Sequence, residues 1–312
     1  MNNKTILITT SSFGVSDLAP LKKMQRLGLN VILNPYERKL TEEEAQTFLE
    51  EHKPVGLVAG VEPLTERIMQ SIPSLKVISR CGIGMDAVNL EAAKRLGITV
   101  TNTPDAPTIP VAELTMGMIL GLLRQIHVTD AGIRNDRWER PMGVLLYGKT
   151  VGIVGCGRIG TRLARILQGF DCNVLGADPA CPECADYRLV NLEEVLAASD
   201  IISLHLPYCA QTQHFINANS LALMKKGAYL INAARGGLVD EDALFQALNT
   251  GHLAGAALDC FEQEPYQGPL KELKNVLLTA HIGSYAREGR IMMEAQAVKN
   301  LIQELKKQRI IL

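Results

Sequence analysis

The sequence predicts an α/β protein built from two doubly wound parallel-sheet domains, and three observations carry that expectation. Short β-branched runs alternate with amphipathic segments almost from end to end, as strands buried on both faces by helical crossovers require. The rhythm breaks once, at Thr103-Pro104-Asp105-Ala106-Pro107-Thr108-Ile109-Pro110, where closely spaced prolines suit a crossing between domains. The chain is also 312 residues long and 47% hydrophobic, more than one core usually holds and enough for two.

Strands of the first series are expected at Lys4–Thr10, Asn30–Asn34, Val55–Ala59, Leu75–Cys81 and Thr99–Thr101, with helices between them. One helix begins after Thr41, because Thr41 and Glu44 have the Thr-x-x-Glu spacing that satisfies open backbone N–H groups at a helix start. The segment Val111 to Ile126 is apolar on nearly every side, so it belongs in a core or at a subunit contact. A second series places strands at Thr150–Gly155, Cys172–Asp178, Asp200–Leu206, Tyr229–Ala234, Gly255–Cys260 and Val276–His281. From about Ala286 a last helix has no strand after it and is expected to return to the first domain, ending in the basic Lys306-Lys307-Gln308-Arg309. The expected domains are therefore 1–102 with 285–312, and 103–284.

Charge and cysteine content narrow the function classes. The 32 basic and 33 acidic residues leave a formal net charge of -1, so there is no strong field for nucleic acid or anionic lipid, and neither partner is expected. Seven cysteines form an odd set without framework spacing. The apolar run Ile6-Leu7-Ile8 is too short for an export signal, and Leu114 to Leu123 is too short to span a bilayer. A soluble protein of the cytoplasm is the expectation. Cys181-Pro182-Glu183-Cys184 has no second pair at zinc spacing, so it reads as loop thiols, and no metal is expected.

The most specific motif is Val151-Gly152-Ile153-Val154 leading into Gly155-Cys156-Gly157-Arg158-Ile159-Gly160, followed by helical spacing of Leu163, Ala164, Ile166 and Leu167. In such a strand-turn-helix Gly155 permits the tight turn, Gly157 lets a pyrophosphate approach the backbone, and Gly160 lets helix and strand pack closely. A helix N-terminus then faces the phosphates. A second strand ends in Asp178, about twenty residues on, where a carboxylate bonds ribose hydroxyls and repels a 2′-phosphate. This context marks a Rossmann-like domain and favours NAD over NADP as cofactor.

Three further segments end strands on the edge where open parallel sheets bind ligands: Asn232-Ala233-Ala234-Arg235-Gly236-Gly237, Asp259-Cys260-Phe261-Glu262-Gln263-Glu264-Pro265 and Thr279-Ala280-His281-Ile282-Gly283-Ser284. Hydride transfer to a 2-oxo acid needs a cation for the carboxylate, an acid for the carbonyl oxygen and a group that holds that acid in place. Arg235 fits the first role in a planar two-pronged geometry, and His281 fits the second. Glu264 fits the third, with Glu262 a rival two residues away.

With these segments in hand, the chain resembles the D-isomer-specific 2-hydroxyacid dehydrogenases over nearly its whole length, and within them the D-3-phosphoglycerate dehydrogenase branch most closely. The resemblance assigns the catalytic set to Arg235, His281 and Glu264, choosing Glu264 over Glu262. It implies that Arg158 and Ile159 meet the pyrophosphate, that Asp259 contacts the nicotinamide amide, and that Ala233 and Ser284 line the same pocket. Ser79-Arg80-Cys81-Gly82-Ile83-Gly84-Met85-Asp86 looks like the family's substrate loop, with the backbone at Ile83 and Gly84 holding the substrate carboxylate and Arg80 adding charge. It further implies a flavodoxin-like substrate domain completed by the C-terminal helix, a small 2-hydroxy or 2-oxo acid as substrate, and a homodimer.

Trp138-Glu139-Arg140 and Gly148-Lys149-Thr150 are similar to the phosphoglycerate branch in particular. Two departures stand against that branch. Ala59-Gly60-Val61 occupies the place where it carries an arginine for the substrate phosphate, and the chain ends at Leu312, so the regulatory domain of longer members is not expected. Glyoxylate or hydroxypyruvate reduction is the alternative within the family. An NAD-sensing, corepressor-like binding protein is the alternative outside enzymes.

Overall fold

The computed structural model describes residues 4–181 and 186–312, so Cys184 lies outside the described residues. The chain divides into two compact units, one of residues 1–107 and 284–312, the other of residues 108–283.

The first unit is a five-stranded sheet of β1 (Thr5–Ile8), β2 (Asn30–Leu33), β3 (Gly56–Ala59), β4 (Val77–Arg80) and β5 (Thr99–Thr101). All pairings are parallel and the order is β2-β1-β3-β4-β5, the flavodoxin-like arrangement. Alternate residues serve the two faces. Ile6, Ile8, Val58 and Val77 pack with α1 (Ala19–Arg26) and with the C-terminal helix α11 (Arg287–Lys307) through Met24, Met293, Ala297, Val298, Leu301 and Leu305. Leu7, Leu57, Ala59 and Ile78 face α2 (Glu42–His52), α3 (Glu66–Ser71) and α4 (Leu90–Arg95). The capping box at α2 is complete: Glu44 N–H donates to Thr41 Oγ1 at 3.2 Å and Thr41 N–H donates to Glu44 Oε2 at 2.9 Å. Such a cap stabilises a helix by about 1 kcal/mol.

The second unit is a seven-stranded parallel sheet of β6 (Thr150–Val154), β7 (Asn173–Ala177), β8 (Arg188–Leu189), β9 (Ile201–Leu204), β10 (Tyr229–Asn232), β11 (Gly255–Leu258) and β12 (Val276–Leu278). Its order, β12-β11-β10-β9-β6-β7-β8, reverses direction between β6 and β9, which makes the carboxyl ends of those strands the ligand-binding crevice of a Rossmann-like sheet. One face carries α5 (Thr108–Leu123) and α7 (Arg158–Gln168), and the other α8 (Leu192–Ala198), α9 (Ala218–Leu223) and α10 (Glu241–Asn249).

Three details differ from the sequence expectations. Most strands stop before the expected carboxyl end: Thr9, Cys81, His205, Asp259 and Thr279 each still donate one backbone hydrogen bond to the neighbouring strand, and the chain then turns into the loops. The edge strand β8 is additional; two residues are too few to show a period. The apolar segment is also not one helix to Ile126. Gln125 takes a left-handed φ of 52°, and α6 (Ile126–Arg134) starts there at 67° to α5. Ten residues of α5 are buried, including Val111, Thr115, Ile119 and Leu122, so its apolar surface is used within its own unit. No single helix among the described residues is long and apolar enough to cross a membrane.

Candidate active site

The Rossmann turn is built as its glycines require. Gly155 has φ 96°, and a Cβ there would lie 2.6 Å from the carbonyl of His205 at the end of β9. A Cβ on Gly160 would lie 2.2 Å from the Gly155 carbonyl oxygen, so α7 can close on β6 only with glycine there. Gly157 differs: a Cβ on it would meet open space. It is the N-cap of α7 and makes no side-chain cap of its own. Bare backbone at a helix N-terminus, with exposed Arg158 beside it, suits a pyrophosphate. Ile159, one turn position on, is half-buried. Asp178 ends the neighbouring strand, and its carboxylate accepts from Cys156 N–H and Ala180 N–H, both at 2.9 Å. The acid is thereby fixed beside the glycine turn, where these residues fit a dinucleotide.

His205 lies under the same turn. Its Nε2 is 2.9 Å from Ser203 Oγ, its Nδ1 is shut from solvent without a partner among the described residues, and desolvation pushes its pKa down to about 4.

At the end of β10, buried Asn232 shapes the turn that presents Arg235: its Oδ1 accepts from Ala234 N–H at 3.1 Å and its Nδ2 donates to Arg235 O at 2.8 Å. Arg235 Nη1 donates to Ala234 O at 2.8 Å. The two following glycines have packing reasons. A Cβ on Gly236 would fall 1.8 Å from Phe261 C, and one on Gly237 would fall 2.5 Å from the Tyr208 ring. Glycine at 236 therefore lets the Arg235 turn lie directly against the loop that carries Glu264.

That loop follows β11. Glu264 Oε1 accepts from Phe261 N–H at 3.2 Å, and both its oxygens face His281 Nδ1, at 2.8 and 3.0 Å. The ring is held by a carboxylate through Nδ1, which leaves Nε2 as the atom able to exchange a proton with a ligand. Glu262 points elsewhere, its Oε1 2.8 Å from His214 Nε2. Behind the loop, desolvation pushes Glu241 above the usual carboxylate range, its neighbours Glu262, Asp242 and Glu264 add to the rise, and its Oε1 accepts from Glu262 N–H at 2.8 Å. Burial also pushes the Cys260 thiol far up, which keeps it inert.

Asp259 has a structural duty that its position in the sequence did not disclose. It is 1% exposed, and its carboxylate accepts from Thr279 Oγ1 at 2.6 Å, Ile282 N–H at 2.8 Å and Gly283 N–H at 2.7 Å. The end of β11 thus clamps both sides of His281, whose own φ is 54°. Three adjacent strand ends therefore converge on Arg235, Glu264 and His281, with half-buried Ala233 beside them. Residue spacing alone disclosed neither Asn232, nor the close approach at Gly236, nor His205.

The loop expected to hold the substrate carboxylate belongs to the first unit. Gly82 N–H donates to Thr103 Oγ1 at 2.8 Å, and Asn102 Nδ2 donates to Ile83 O at 2.8 Å, so Ile83 and Gly84 sit on a fixed turn after β4. Arg80 is 5% exposed. Its Nη1 donates to the Cys81 carbonyl, and its guanidinium lies over Gly82, where a Cβ would meet Nη1 at 2.7 Å. Ser284 opens the second stretch of the first unit and is half-buried. Among the described residues no group of three or more His, Cys, Asp or Glu side chains is placed to hold a metal.

Residues 116–283 match the family model of the D-isomer specific 2-hydroxyacid dehydrogenase NAD-binding domain. The chain belongs to that family. A D-3-phosphoglycerate dehydrogenase of Methanocaldococcus jannaschii is 40% identical over 257 residues, which cover 80% of this chain and 49% of that protein. A glyoxylate reductase of Thermofilum pendens is 42% identical over 258 residues, covering 78% of this chain and 76% of that one. The chain thus spans about half the length of the phosphoglycerate enzyme that it matches. Among solved structures, a protein of Thermus thermophilus superposes with a TM-score of 0.88 at 36% identity, covering 97% of each chain.

Proposed function

We propose that this protein is an NAD-dependent oxidoreductase that transfers a hydride between the cofactor and carbon 2 of a small D-2-hydroxy acid. The observation that carries the reading is the His281 ring held through Nδ1 by both oxygens of Glu264, next to the turn that presents Arg235. NAD, when bound, supplies the hydride chemistry. Its pyrophosphate would rest on Gly157, Arg158 and Ile159 at the start of α7, its ribose on Asp178, and its nicotinamide end near Ala233 and Asp259. Asp178 favours NAD over NADP because a 2′-phosphate would meet its carboxylate.

Arg235 binds the substrate carboxylate and polarises the carbonyl, a task that suits a planar fork of donors. In the reducing direction His281 gives a proton from Nε2 to the carbonyl oxygen, and in oxidation the neutral ring takes it back. Glu264 keeps the ring oriented and stabilises the positive charge while the ring holds the proton. Within the first unit, the N–H groups of Ile83 and Gly84, with Arg80 behind them, are suited to holding a carboxylate.

The assembly supported best is a homodimer in the cytoplasm. Ile126, Ile133, Trp138, Met142, Leu145 and Tyr147 are large apolar side chains left exposed on and after α6, in one stretch of the second unit. Exposed apolar groups in such number suit an interface. An odd set of cysteines without framework spacing suits a reducing compartment.

A turnover screen of 2-oxo acids with NADH and with NADPH tests the reading. Faster turnover with NADH for at least one small 2-oxo acid is expected, and no turnover with any of them overturns it. Light scattering that finds only monomer would remove the dimer.

A further inference from the structure

The loop that carries Glu264 is held at a second place, through the acid two residues before it. Glu262 N–H donates to Glu241 Oε1 at 2.8 Å, and Glu262 Oε1 lies 2.8 Å from His214 Nε2. Both partners belong to the frame of the Arg235 turn. His214 N–H donates to Gly237 O at 2.8 Å, Ile216 pairs with Val239 in a parallel bridge, and Asp240 N–H donates to Ile216 O at 2.8 Å. Glu241 comes next, as the first residue of α10. That helix already has its cap, since Asp240 Oδ1 accepts from Ala243 N–H at 2.9 Å. An acid in a first turn complements the helix dipole while facing water. Glu241 is instead half-buried, where desolvation and the acidic neighbours Glu262, Asp242 and Glu264 oppose its charge. What its carboxylate meets there is the backbone of the Glu264 loop.

We propose that Glu241 is a positioning residue for the catalytic pair: by accepting from Glu262 N–H it fixes the loop 261–264 against the Arg235 turn, so that both oxygens of Glu264 stay on His281 Nδ1. The inference rests on the reading of Arg235, Glu264 and His281 as the catalytic set, and all of its contacts lie within the second unit. The peptide unit between Phe261 and Glu262 is gripped on two sides. Its carbonyl carbon lies against Gly236, where a Cβ would fall 1.8 Å away, and its N–H points at Glu241. On one side of that peptide Phe261 N–H donates to Glu264 Oε1 at 3.2 Å, and on the other the Glu262 side chain is drawn to His214. Without the Glu241 acceptor the peptide is free to tilt away from Gly236, and the Glu264 oxygens lose their fixed distance from the ring. Proton transfer in a held geometry is sensitive to such shifts, and a misplacement of about 1 Å can cost about 100-fold in rate.

The test compares Glu241→Ala and Glu241→Gln with the unmodified protein, using NADH and the 2-oxo acid that turns over fastest. Glu241→Ala should lower kcat by roughly 10- to 30-fold, with the Kd for NADH held within about twofold. Glu241→Gln keeps an oxygen acceptor and removes the charge, so it should recover kcat to within about threefold. In Glu264→Ala no carboxylate is left to position, and adding Glu241→Ala there should cost less than about twofold. A general weakening of the fold would instead cost the same in both backgrounds, and that result overturns the proposal. Full kcat in Glu241→Ala overturns it, as does a Glu241→Gln protein as impaired as Glu241→Ala, which would mean that charge and not placement is at work. Should Glu241→Ala fail to fold, Glu241→Leu, which fills much of the space without an acceptor, takes its place in both backgrounds. Each of these failures leaves the dehydrogenase reading standing, whereas no turnover of any 2-oxo acid by the unmodified protein overturns that reading and this inference with it.

Discussion

Acid should destabilise this protein through His205 in particular. Desolvation beneath the Gly155 turn pushes the pKa of the half-buried His205 ring down to about 4 from the ordinary 6.5. As pH falls between these two values the unfolded chain takes up a proton that the folded chain refuses. The full stability is therefore present above about pH 6.5 and drains away as pH falls toward 4. At 1.36 kcal/mol per pH unit the whole gap is worth roughly 3 kcal/mol, and about 2.4 kcal/mol of it is lost between pH 7 and pH 4.5. Against a typical total of about 5–15 kcal/mol this is large enough to measure.

Carboxylates elsewhere also shape the acid limb, so the informative quantity is a difference between two proteins. His205→Gln removes the titrating ring and keeps a polar nitrogen able to reach Ser203 Oγ. Urea unfolding at pH 7 and pH 4.5 should show the unmodified protein losing about 2 kcal/mol more than the variant. Circular dichroism is the suitable probe, because the single tryptophan, Trp138, is 83% exposed and would report poorly on unfolding. Equal losses in the two proteins would refute the argument, since they would mean that the folded state protonates His205 as easily as the unfolded one.

The remaining expectations concern the site. Glu264→Gln keeps a hydrogen bond to His281 Nδ1 but removes the charge, and should lower kcat/KM by roughly 10- to 100-fold with NADH binding intact; unchanged turnover would remove the pair from the chemistry. Arg235→Lys should raise KM and lower kcat together, because an ammonium cannot copy the planar fork, and steady-state kinetics with both substrates reads the split. Asp178→Ala should narrow the preference for NADH over NADPH measured by fluorescence titration, while weakening NADH itself because Cys156 N–H loses its acceptor.

What could be read from the sequence follows from which contacts are local. The Thr41 and Glu44 cap, the glycine turn and Asp178 are fixed by spacing within one or two elements, and the structure has the cap closed and the acid tied to the turn. Spacing could bring Arg235, Glu264 and His281 to one sheet edge because each follows a strand, yet it left Glu262 and Glu264 equal. The two residues part only in three dimensions, where Glu262 turns to His214 and Glu264 to His281. Gly236 shows the same limit: it resembles any turn glycine until Phe261, 25 positions later, is found packed where its side chain would be. Glu62 shows it from the other side. In the sequence it is a polar residue after a strand, of the kind that usually faces water, and only the fold buries it against Thr9 and the Gly60 N–H. Placement that depends on one strand end was therefore legible, whereas placement that depends on two distant segments packing against each other was not.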